Sequence, residues 1–189
     1  MARKNTTLAG ALLGASAIFI LSSGLISAQN SKMSSGFSPA DIRFANDAAM
    51  GGQMEVELGR IAIRNGSSDK VKEFGQHMID DHTNAGNELM SIARKHNLTL
   101  PKGLDANEQK MVDQFSALNG TAFDDRYMTD MLRDHQKDIA SFQTEIAEGS
   151  NADLKDFASA TLPTLQEHLR LAQKTENALS AGARNQGLK

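Results

Sequence analysis

The chain has 189 residues, 40% of them hydrophobic, with 20 basic against 23 acidic side chains and a formal net charge of −3. One domain with a sizeable core is the expectation for that length, and an acidic balance without a basic run excludes the phosphate neutralisation on which nucleic-acid binding rests. Cysteine is absent, which excludes disulfides, thiolate metal sites and a lipid-bearing N-terminal cysteine.

At the N-terminus, Arg3 and Lys4 precede an uncharged apolar run from Leu8 to Leu25. Ser27-Ala28 then precedes polar Gln29-Asn30. This is the pattern of a secretory signal peptide over residues 1–28. Left uncleaved, the run is long enough to serve as an anchor; its small residues and the polar segment after it favour cleavage. Either way the folded part is expected outside the cytoplasm, in the periplasm or cell envelope. After cleavage no integral membrane domain is expected. Residues 29–37 read as a flexible leader.

The first helix is expected over 39–65. Ser38 is its cap, Pro39 its first residue, and Asp41 stands where a capping box needs an acid. Its apolar stripe runs Phe44, Ala48, Gly51, Glu55, Leu58, Ala62 at the helical period. Asn65-Gly66 ends it. Ser67-Ser68-Asp69 reads as the cap of a second helix, about 68–97, with the stripe Val71, Phe74, Met78, His82, Ala85, Leu89, Ile92. Residues 98–120 form a connection containing Pro101, Gly103 and a short helix from Asp105 to Leu118. Thr121-Ala122-Phe123-Asp124 resembles a further capping box. The helix it opens, 121–149, carries Met128, Met131, His135, Ile139, Phe142 and Ile146. The last helix, 152–181, carries Leu154, Ala158, Thr161, Leu165, His168, Ala172 and Leu179, and Pro163 is expected to kink or interrupt it. Residues 182–189 read as a frayed tail.

The two helix pairs repeat. A shift of 83 superposes Phe44 on Tyr127, Asp47 on Asp130, Gly66 on Gly149 and Val71-Lys72-Glu73-Phe74 on Leu154-Lys155-Asp156-Phe157. Two copies of one αα-hairpin joined by a long connection predict an all-α, ferritin-like four-helix bundle over 38–181. No strand alternation appears anywhere in the chain.

Four polar residues fall on the apolar stripes, one per helix: Glu55, His82, His135 and His168. Each lies within about three positions of its helix centre, or about 5 Å at 1.5 Å rise per residue. Midpoints stay level whichever way a helix runs, so the four are expected at one height. Imidazole and carboxylate are ligands for zinc, copper, iron or manganese, so a single transition metal ion at mid-bundle is one reading. Met78 and Met131 each precede a histidine by four, a neighbourhood that would favour copper, although methionine is also ordinary core filler. The other reading is a structural polar layer, with Asp81, Asp134 or Glu167 pairing across helices. A haem or other organic cofactor between helices is a third. His77 and His96 are expected to be solvated. Met54, Met90 and Met111 are expected to pack, and Gly51-Gly52 to permit close helix approach.

The segments Glu55-Val56-Glu57-Leu58-Gly59, Phe74-Gly75-Gln76-His77-Met78-Ile79-Asp80-Asp81-His82, Asp134-His135-Gln136-Lys137 and Thr161-Leu162-Pro163-Thr164-Leu165-Gln166-Glu167-His168 resemble one exported bacterial family. It is catalogued as domain of unknown function 4142, and its members are often labelled outer-membrane proteins. The resemblance covers about residues 40–176. It implies a ferritin-like bundle, marks Glu55, His82, His135 and His168 as the matching motif positions, and implies no particular reaction. The outer-membrane label finds no support in barrel-type strands. A di-iron carboxylate site needs Glu three residues before two of its histidines. Ile79, Leu132 and Leu165 stand there instead, so neither ferroxidase chemistry nor iron storage is expected. The sequence leaves enzymatic activity, protein partners and homo-oligomerisation open.

Overall fold

A computed structural model describes residues 36–186; the signal peptide and most of the leader expected from the sequence lie outside the described residues. Five helices follow in order: α1 (Pro39–Asn65), α2 (Asp69–His96), α3 (Ala106–Ser116), α4 (Gly120–Glu148) and α5 (Ala152–Gln186). The four long ones form a bundle in which α1 packs on α2, α2 on α5, α5 on α4 and α4 on α1. None of the described helices is long and apolar enough to cross a membrane.

Helix directions follow from where each helix buries its apolar residues. One core cluster holds Leu58, Phe74, Met78, Tyr127, Met131 and Ala172; the other holds Phe44, Leu89, Phe142, Phe157 and Leu165. Helices α1 and α5 pass from the second cluster to the first, and α2 and α4 from the first to the second. So α2 and α4 run in the same sense, and the segment between them must travel the length of the bundle. It does: Leu98 and Leu100 pack on the second cluster, Leu104, Met111 and Leu118 on the first. One long crossover is what the sequence repeat predicts, and it is the connectivity by which ferritin-like bundles differ from simple up-and-down ones.

The crossover is fastened at both ends. Asn97 closes α2 in the left-handed region, at φ 56°. Asp105 opens α3 with a capping box: its carboxylate accepts from the backbone N–H groups of Asn107 and Glu108, and Glu108 accepts from the N–H of Asp105. The Asn65 amide then donates to the carbonyls of Ser116 and Leu118, tying α3 to the end of α1.

The repeat is visible as a reciprocal fastening. Asp124, near the start of α4, accepts from Ser67 N–H at 3.1 Å, Ser67 hydroxyl at 2.5 Å and Ser68 N–H at 2.9 Å, in the α1–α2 turn. Asp41, near the start of α1, accepts from Ser150 N–H at 2.9 Å in the α4–α5 turn. Asp41 and Asp124, like Ser67 and Ser150, are 83 positions apart. Each hairpin thus holds the turn of the other.

Several local expectations are corrected by such long-range contacts. The capping box at Ser38 and Asp41 forms. The one expected at Thr121–Asp124 does not: α4 starts at Gly120, and the Asp124 carboxylate is engaged by the serine turn. Ser68, at the start of α2, makes no side-chain cap; its backbone N–H donates to Asp124. Pro163 does not interrupt α5, which continues to Gln186, past the expected end at Ala181. Close helix approach occurs at Gly59 and Gly75 rather than at Gly51-Gly52. A Cβ on Gly59 would meet the Gly75 carbonyl at 2.5 Å, whereas one on Gly51 would meet nothing within 4 Å. His96 is not free in solvent; it contacts the Asp153 carboxylate at 2.5 Å, joining the end of α2 to the start of α5. His77 is exposed as expected. Met54 is buried, Met111 packs at the edge of the core, and Met90 is 44% exposed, contrary to a packing role.

Candidate metal centre

Between the two apolar clusters lies one polar level. On α1 it is Glu55, between Ala49 and Leu58; on α2 His82, between Met78 and Leu89. On α4 it is His135, between Met131 and Phe142; on α5 His168, between Leu165 and Ala172. The stripes carry each side chain inward, and the midpoint argument puts them at one height. The structure brings all four together. Glu55, His135 and His168 are buried, and the His82 side chain is 9% exposed.

One nitrogen from each of His82, His135 and His168 lies within 4.8 Å of the others. The second nitrogen of each is already engaged. His135 Nδ1 is 2.9 Å from the Met131 carbonyl, which can only accept, so this nitrogen carries the hydrogen. His168 Nε2 is 2.8 Å from the Asp81 carboxylate and donates to it. His82 Nδ1 is 3.1 Å from Glu55 Oε2. The nitrogens left over are His135 Nε2, His168 Nδ1 and His82 Nε2. The first two face each other at 3.2 Å, and the third is buried without a hydrogen-bond partner.

This arrangement has an electrostatic consequence. A neutral imidazole donates from one nitrogen and accepts at the other. Burial, with His168 beside it, lowers the His135 pKa to about 4, so its ring is neutral at pH 7. Burial lowers His82 well below the ordinary imidazole value, and His135 and His168 add to the effect. Burial lowers His168 as well, against the pull of Asp81. Two neutral rings therefore point lone pairs at each other across 3.2 Å, with no proton between them. A shared proton or a bound cation would satisfy both. A tetrahedral ion with bonds of about 2.0–2.1 Å needs donor nitrogens about 3.3 Å apart.

Glu55 lies beside the three-histidine group. Its Oε2 holds His82, and its Oε1, 3.6 Å from His135 Nδ1, has no hydrogen-bond partner. Burial raises its pKa well above the carboxylate range, and Asp138 and Asp134 push it further. Met131 meets His135 through its carbonyl. Of the acids expected to pair across helices, Asp81 does so with His168. Glu167 pairs with Arg170 on its own helix. Asp134 contacts Arg133 at 3.5 Å and leaves Oδ2 buried without a partner.

A family model described as Domain of unknown function (DUF4142) matches residues 27–175. The chain belongs to this family. No curated protein and no solved structure matches it. The DUF4142 match spans all four residues of the polar level.

One residue here was not singled out by the helix stripes. Asp138, three positions after His135, is half-buried, and burial together with Asp134 raises its pKa to about 6. The repeat held the signal: the counterpart of Glu55 at a shift of 83 is Asp138.

Proposed function

We propose that the chain is an exported metal-binding domain of the cell envelope, holding one transition metal ion between His82 Nε2, His135 Nε2 and His168 Nδ1. The observation that carries this is the matched second set of partners. Met131 carbonyl, Asp81 carboxylate and Glu55 carboxylate each take the far nitrogen of one histidine. Metal-binding histidines are oriented in this way, and carboxylate partners raise their basicity. Glu55, read from the sequence as one of the ligands, has the neighbouring role: it orients His82 and supplies negative charge beside the ion. Three neutral nitrogens suit zinc, copper, iron or manganese, and leave further coordination positions open. His82 also lines two cavities, which gives the ion a route to solvent. The role that follows is metal binding, in handling the ion or protecting the envelope from metal stress.

The test is metal content by plasma mass spectrometry on untagged protein, beside the triple His82/His135/His168→Ala variant. About one equivalent, lost in the variant, supports the proposal. No metal in either after reconstitution refutes it and leaves a structural polar layer. Export is tested separately by the mass of the mature protein recovered from the envelope.

A further inference from the structure

A cavity of about 320 Å³ lies beside the polar level and takes its lining from all five helices. The exposed members of that lining are Asp47 on α1, Asn107 on α3 and Lys137 on α4, so its mouth opens among these helices. Its floor is a cluster of three buried rings: Phe44–Phe142 at 4.9 Å, Phe142–Phe157 at 5.9 Å and Phe44–Phe157 at 6.4 Å between centroids. Gly51 and Gly86 stand on its wall, and a Cβ on either would meet nothing within 4 Å. A single methyl group could begin to fill this space, and the chain leaves it open. An apolar floor with a few polar groups, enclosed between bundle helices, is the build of a small-molecule site.

The polar part of the lining has one sign. Five acids face one lysine and no arginine. Lys137 is exposed at the mouth, where water and salt screen its charge. Asp138 is half-buried. Asp134 meets Arg133 at 3.5 Å through Oδ1 and keeps Oδ2 buried without a partner. The most buried of the acids is Glu55, whose side chain is 3% exposed. Its Oε2 is taken by His82, and its Oε1 has no hydrogen-bond partner. A buried acceptor without a donor is costly, and a donor from a ligand would offset that cost. An anion would be repelled by the acids, and a hydrocarbon would leave Oε1 as it is. A cation that carries N–H groups on an apolar body matches both the acids and the phenylalanine floor.

We infer that this cavity binds a small organic cation, a protonated primary amine on an aromatic or alkyl body, with its ammonium donating to Glu55 and its body against Phe44, Phe142 and Phe157. Asp134 and Asp138 supply negative charge along the wall and need not reach the same atom of the ligand. The site is separate from the ion between the histidines, because Glu55 offers the ligand Oε1 and His82 Oε2.

The probe is phenethylamine, titrated calorimetrically into the full chain in excess chelator, beside its neutral isostere phenethyl alcohol and the anion hydrocinnamate. One amine per chain is expected, with the alcohol weaker by about tenfold or more and the anion unbound. Glu55→Gln is expected to bring the amine down to the level of the alcohol. Gly51→Leu, which fills the cavity from its open wall, is expected to abolish binding of both while melting like wild type by circular dichroism. The inference is overturned by absence of amine binding at millimolar concentration, by an alcohol that binds as tightly as the amine, or by wild-type amine affinity in either variant. Repeating the titration with one equivalent of Zn²⁺ separates this site from the histidine one. Amine binding that is the same in chelator and in Zn²⁺ stands even if the histidines hold no metal. Amine binding that appears only with Zn²⁺ would place the amine on the ion and overturn the cavity site.

Discussion

His135→Leu separates a metal site from a structural layer, because the two assign opposite signs to the change. In metal-free protein the substitution removes one hydrogen bond, from Nδ1 to the Met131 carbonyl at 2.9 Å. That bond is worth about 1 kcal/mol net. The Met131 carbonyl keeps its helical partner, the backbone N–H of residue 135. In exchange, the lone pair facing His168 Nδ1 at 3.2 Å disappears, and an apolar group packs near Phe74, whose ring lies 6.3 Å from the imidazole. The metal-free variant should stay within about 1 kcal/mol of wild type on these terms. With free zinc a hundredfold above its Kd, wild type gains about 2.7 kcal/mol. At about 2–4 °C per kcal/mol for a chain of this size, Tm rises by about 5–10 °C. The variant should gain almost none of this, so the order of stability reverses or widens with zinc. Thermal melts by circular dichroism, in chelator and in zinc, read the effect directly. A metal-free variant weakened by more than about 3 kcal/mol would make the layer a structural necessity. An equal zinc shift in both proteins would remove His135 from the ligands.

Asp81→Asn should keep one metal equivalent but weaken zinc about 10–100-fold, since it disturbs only the outer partner of His168; competition against a chromogenic chelator measures this. Burial, with Asp41 beside it, pushes the Glu145 carboxyl up to about 7, so between its ordinary value of 4.5 and that pH the folded chain holds a proton the unfolded chain has lost. Stability should therefore fall as pH rises through this window, and Glu145→Gln should flatten the fall and melt higher than wild type at pH 8. His135 has the opposite sign: with chelator present, stability should fall as pH drops from 6.5 towards 4, and His135→Leu should remove that loss. Gly75→Ala should cost about 1–3 kcal/mol in denaturant melts, because its Cβ would meet the Gly59 carbonyl at 2.9 Å, whereas Gly51→Ala should be neutral or stabilising. Asp124→Ala removes the acceptor of three hydrogen bonds. It should cost at least about 3 kcal/mol, and a smaller loss would mean that the serine turn holds without it.

The periodic part of this molecule is legible in its sequence. A 3.6-residue stripe fixes which side chains go inward, and a helix midpoint fixes their height, so Glu55, His82, His135 and His168 can be brought together without knowing the topology. The 83-residue repeat and the long gap between its copies give the crossover. What escapes is whatever depends on a partner distant in sequence. The Thr121–Asp124 segment has the residues of a local cap, yet the Asp124 carboxylate goes to Ser67 and Ser68, where three donors outweigh one. Gly51-Gly52 and Gly59 look alike in sequence. Only the opposing helix decides that Gly59 meets a backbone while Gly51 faces a cavity.

The repeat also shows how the site departs from symmetry. Its two halves share their fastening, Asp41 with Ser150 and Asp124 with Ser67, so the scaffold is close to twofold. The chemistry is not. The counterparts of His82, His135 and His168 are Leu165, Gly52 and Ala85. Gly52 is where symmetry would place a fourth imidazole, and a Cβ there would already lie 3.7 Å from His82 Nδ1. A second ring at that position would fill the space His82 occupies. The symmetric scaffold thus holds one histidine cluster, whereas at this level Glu55 and Asp138 place an acid in both halves of the repeat. The nitrogen donors come from α2, α4 and α5, and α1 contributes the Glu55 carboxylate to the same level.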